Sequence, residues 1–99
     1  MSEIIRALVV EPGMEPVETD IQNTLEALQA LVGGYIECVS FALPDGTAVV
    51  AVCDEEGRLA GKEYNCRVNG VSFVGTVVLL GVDGEEFADV PPAARGCIQ

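Results

Sequence analysis

The chain has 99 residues, room for one domain and one core but not for a catalytic domain with a regulatory one. Five Lys and Arg stand against 16 Asp and Glu, for a formal net charge of −11. Cations are too few to neutralise a nucleic-acid backbone, and direct nucleic-acid binding is not expected. No apolar run is long enough for a transmembrane helix, and histidine, the commonest general base and metal ligand, is absent.

Ile4–Val10 is nearly continuous in apolar residues, which predicts a strand buried on both faces. It contains Arg6 and has neither a basic leader nor a small-residue cleavage site, so it reads as a strand and not as a signal peptide. The expected compartment is the bacterial cytosol. Residues 11–16 carry two prolines and a glycine and form a loop. Thr19-Asp20-Ile21-Gln22 fits a capping box, and apolar residues recur at Ile21, Leu25, Leu28 and Val32. These features predict a helix of about 13 residues, roughly 20 Å long, that stops at Gly33-Gly34.

Tyr35–Phe41 is the second expected strand, parallel to the first if both share a sheet. Pro44-Asp45-Gly46 turns the chain into Thr47–Cys53, so that strands two and three make a hairpin. The segment Arg58–Tyr64 is irregular and has no assignable structure. Tyr64–Val68 and Val71–Val74 flank Asn69-Gly70, a two-residue hairpin signal. Thr76–Leu80 is the last expected strand. Residues 83–99 read as a short tail leaving the sheet, with Pro91-Pro92 and at most one helical turn.

The expected fold is therefore α+β: a single domain over residues 1–99 with its core in residues 4–82. Its topology would be β-α-β-β-β-β, a single mixed sheet with one helix packed on one face. Hydrophobic residues make up 49% of the chain, more than one short helix can cover. The second sheet face is then expected to be an apolar patch, with that face or the sheet edge buried by another copy in a homo-oligomer.

Four cysteines, Cys38, Cys53, Cys66 and Cys97, show no C-x-x-C spacing and are expected to be reduced. Metal-ligand and cofactor motifs are absent, so neither a metal nor a cofactor is expected. The acidic runs Asp54-Glu55-Glu56 and Asp83–Asp89 read as solvated turns. Nothing assembles a nucleophile with a base, and the chain reads as a non-enzyme.

Arg6-Ala7-Leu8-Val9-Val10-Glu11-Pro12-Gly13, Leu31-Val32-Gly33-Gly34-Tyr35-Ile36-Glu37, Asp54-Glu55-Glu56-Gly57-Arg58-Leu59 and Gly75-Thr76 together resemble a family of small uncharacterised domains of bacteriophages and mobile elements. The resemblance covers roughly residues 4–82. It implies a phage or mobile-element setting and carries no activity. Members often read G-L-P-x-N-R after the acidic turn. Here Gly61–Arg67 lacks the proline, and Asn65 and Arg67 are separated by one residue.

Three of the five cations, Arg58, Lys62 and Arg67, fall within ten residues, with Tyr64 and Asn65 among them. Arg forks onto phosphate, Tyr stacks on a base and Asn reads its edge, so this segment is the candidate site for a small anionic ligand. Three roles follow. The first is a phage-type counter-defence protein that sequesters a nucleotide-like immune signal without cleaving it. The second is an acidic inhibitor of a basic host defence or DNA-processing protein. The third is an accessory structural domain.

Overall fold

A computed structural model describes residues 3–99. The fold is α+β, mostly antiparallel sheet with one short helix. Its elements are β1 (Ile4–Val10), β2 (Val17–Gln22), α1 (Leu25–Val32), β3 (Ile36–Ala42), β4 (Ala48–Asp54), β5 (Tyr64–Val68), β6 (Val71–Val74), β7 (Val77–Asp83) and β8 (Glu86–Ala88). A 3-10 helix (Pro92–Cys97) closes the chain.

The main sheet runs β2-β1-β7-β4-β3, with β8 added to β7; β5 and β6 form a separate two-stranded sheet. Every described pairing is antiparallel. The expected single mixed sheet is thus corrected to two antiparallel ones. β1 and β3 are separated in the main sheet by β7 and β4, and there is no parallel pair between them.

The expected helix is also corrected. Val17–Gln22 is a strand, in register with β1 from Val9↔Val17 to Ile4↔Gln22. The capping box at Thr19 loses because six residues of ladder with β1 outweigh a local cap of about 1 kcal/mol. The helix begins one turn later. Thr24 is its N-cap, and the hydroxyl accepts a hydrogen bond from the Ala27 N–H. Gly33 ends it at φ 82°, a left-handed conformation glycine adopts without Cβ strain, and its N–H donates to the Gln29 carbonyl.

Alternation along the strands sorts the core into two layers. Ile5, Ala7, Ile21, Val50, Val52, Val78 and Leu80 face α1, where Leu28 and Val32 meet them. Leu8, Val10, Val49, Ala51, Cys53, Val77 and Leu79 face the other way and are covered by Cys66, Val68, Phe73 and Ala94. The β5–β6 hairpin and the 3-10 helix therefore roof the second face, which had been expected to lie bare. The tail is an integral part of this roof: Ala94 is fully buried, Val68 bridges Ile98, and the Arg67 and Gln99 backbones hydrogen-bond to each other. The sheet face that argued for a second copy is covered within one chain, while Val17, Leu25, Tyr35 and Leu59 are among the large apolar side chains left exposed. No helix among the described residues is long and apolar enough to cross a membrane.

Candidate functional site

Four of the five residues of the basic segment hold backbone carbonyls of the chain itself. Lys62 Nζ lies 2.6 Å from the Val32 carbonyl oxygen and 2.6 Å from Asp54 Oδ2. It satisfies an orphan carbonyl at the end of α1 and places a cation at the negative pole of the helix dipole. The same contact ties the helix to the end of β4. Asp54 is held below the usual carboxylate value, first by the Lys62 hydrogen bond and then by the Glu56 N–H.

Asn65 sits in the bulge between Tyr64 and Cys66, and its Nδ2 donates to Val10 O at 2.8 Å and Gly75 O at 2.7 Å. It pins the hairpin roof to the end of β1. Arg58 Nη2 donates to Ser72 O at 2.9 Å, Arg67 Nη2 donates to Gly70 O at 3.0 Å, and Tyr64 is exposed. Lys62 and Asn65 thus serve the fold with the polar atoms a ligand would need.

Grooves mark the surface on the roofed side of the sheet, and two of them gather charged residues. One, of about 410 Å³, gathers Arg6 and Arg95 with Glu18 and Asp89 between walls of Leu8, Val90 and Pro91. Topology brings together here the two arginines that lie outside the basic segment. Arg6 is already shared between Glu18 at 3.7 Å and Asp20 at 3.6 Å, all of them well exposed. The Arg6 N–H donates to Asp89 Oδ1. Its charges balance, and such exposed pairs are worth little.

The second groove, of about 270 Å³, runs between β3 and the β6 wall. Buried Cys53 and Phe73 form its floor, Val39 and Val74 its sides, and Glu37, Asp54 and Glu55 its acidic lining. Leu59, 88% exposed, and Val71 stand at its rim. Of the five residues expected to bind a ligand, only Arg58 lines either groove.

Burial, aided by the Glu37 charge, pushes the Cys53 thiol up to about 11; the Cys38 thiol is raised for the same two reasons and the Cys66 thiol by burial alone. None of these three favours the reactive thiolate at neutral pH. Sequence reasoning missed Glu37, Val39 and Glu55 as a group. The available signal was the alternation of β3, which puts Glu37, Val39 and Phe41 on one face, but their meeting with β6 depends on tertiary folding.

A family model described as a domain of unknown function (DUF3846) matches residues 5–97. No curated protein and no solved structure matches the chain.

Proposed function

The chain belongs to the DUF3846 family, and from that premise we propose that it is a non-enzymatic, protein-binding domain whose acidic surface engages a basic partner. The observation that supports this reading is the fate of the scarce cations. Lys62 is bonded to Asp54 and Val32, and Arg6 is shared between two acids. Arg58 and Arg67 each donate to a backbone carbonyl. What the surface offers in excess is carboxylate, with 16 acids against five bases. Complementary charge steers association and selects partners rich in Lys and Arg, as proteins that handle nucleic acids are. The resemblance to phage and mobile-element domains makes a host defence or DNA-processing protein the natural target.

Capture of a nucleotide-like ligand by Arg58, Lys62, Tyr64, Asn65 and Arg67 has less support, because Lys62 and Asn65 are bonded within the chain and only Arg58 lines a groove described above. The experiment is retention of proteins from a nuclease-treated bacterial lysate on the immobilised chain across a salt series. The retained proteins are expected to be basic, to elute as salt rises, and to be held equally by Arg67→Ala. Empty retention, or retention indifferent to salt, would overturn the reading.

A further inference from the structure

We propose that the outer edge of β3, together with the groove beside it, docks an extended basic segment of the partner, which adds to the sheet as a further strand. This rests on the protein-binding reading above and names the surface that performs it.

β3 is the last strand of the main sheet and pairs with β4 along all its residues, from Ile36↔Asp54 to Ala42↔Ala48. Among the described residues no backbone hydrogen bond reaches its other edge. An open edge of that length is a template for strand addition unless it is blunted. The opposite edge strand, β2, is blunted: it carries Glu18 and Asp20, both held by Arg6. β3 carries a single charge, Glu37, and neither proline nor glycine.

The groove gives this edge its selectivity. Glu37, Val39 and Phe41 point to the roofed face, and Glu37 and Val39 line the groove. The Asp54 charge is met by Lys62, and Arg58 is drawn to the Ser72 carbonyl in β6. Glu37 and Glu55 are left as acids without an ion-pair partner among the described residues. Leu59 and Val71 supply exposed apolar surface at the rim.

An added strand points alternate side chains toward the groove. Its matching phase is a Lys or Arg beside Glu37, followed at alternate positions by apolar residues beside Val39 and Phe41. A second copy of this chain fits poorly. Each copy carries −11, and symmetric pairing brings both sets of Glu37 and Glu55 to one seam.

The test uses a short synthetic peptide with Arg, Val and Val at alternate positions separated by Thr, titrated into isotopically labelled protein. A control peptide carries Glu in place of Arg. Amide resonances of Ile36–Ala42 are expected to shift and to gain protection from exchange. Glu37→Lys is expected to weaken binding about ten-fold, equivalent to about 1.4 kcal/mol. Glu15→Lys, which makes the same charge change in the exposed loop between β1 and β2, serves as a control; binding is expected to persist in it.

Shifts confined to β2, binding of the Glu peptide as tightly as the Arg peptide, or no binding at all would overturn the β3 site. So would a concentration-dependent dimer that occupies β3 in place of the peptide. If Glu37→Lys still retains basic lysate proteins in a salt-sensitive way, the docking site falls while the broader reading stands. If the wild-type chain retains none, the broader reading falls.

Discussion

Asn65 and Lys62 are polar side chains whose type suggested recognition and whose partners are backbone carbonyls of their own chain. Asn65→Ala removes two donors at once and leaves the Val10 and Gly75 carbonyls without that partner. It is expected to destabilise the fold by about 1–3 kcal/mol, measured by urea unfolding. A residue reserved for a ligand would give a change near zero.

Lys62→Met tests the second contact through pH. The Asp54 carboxyl is lowered in the folded state, chiefly by Lys62, so its contribution to stability is complete above the ordinary carboxylate pKa and is lost as pH falls through the folded value. The variant is therefore expected to melt several degrees below wild type at pH 7, with the gap narrowing as pH falls below about 4. A gap independent of pH would show that the ion pair is not its source. Neither role was legible in the sequence, because a cation or an amide bonded to a remote carbonyl leaves no local pattern.

At the scale of elements, the strands declared themselves where composition and turn chemistry agreed. Asn69 at φ 50° and Gly70 at φ 84° make the hairpin turn their types suggest, and β5 and β6 run from Tyr64 to Val68 and from Val71 to Val74 as expected. Val17–Gln22 was misread because Thr19-Asp20-Ile21-Gln22 satisfies a helix-start pattern, whereas the partner that makes it a strand lies in β1. The 3-10 helix falls where one helical turn was expected beside Pro91-Pro92, but its length was not legible: six residues with two alanines and a glycine offer no apolar period.

The two threonines separate the readings. Thr24→Ala is expected to cost about 1 kcal/mol through loss of the cap. Thr19→Ala, whose hydroxyl touches only the Val17 carbonyl at 3.4 Å, is expected to change stability by about 0.5 kcal/mol or less. Thermal melts of the pair decide which threonine starts the helix.

The whole molecule closes its core without help. Its radius of gyration is 12.3 Å, against about 12.6 Å from the usual scaling for a compact chain of this length. The α+β class was visible from the alternation of apolar runs and one amphipathic stretch. The three-layer arrangement was not, because nothing local says that a hairpin and a tail fold back over a sheet. A sedimenting monomer at micromolar concentration is the expected outcome. An obligate dimer would overturn that expectation.

The order of strands also sets when this molecule can exist. Strand β7 lies at the centre of the main sheet, between β1 and β4, yet it begins only at Val77. A nascent chain synthesised as far as Thr76 owns both halves of the sheet and lacks the strand that joins them. Long-range pairings of this kind are slow to form. During translation the β1–β2 and β3–β4 hairpins therefore have no shared sheet to join until residues 77–83 have emerged from the ribosome.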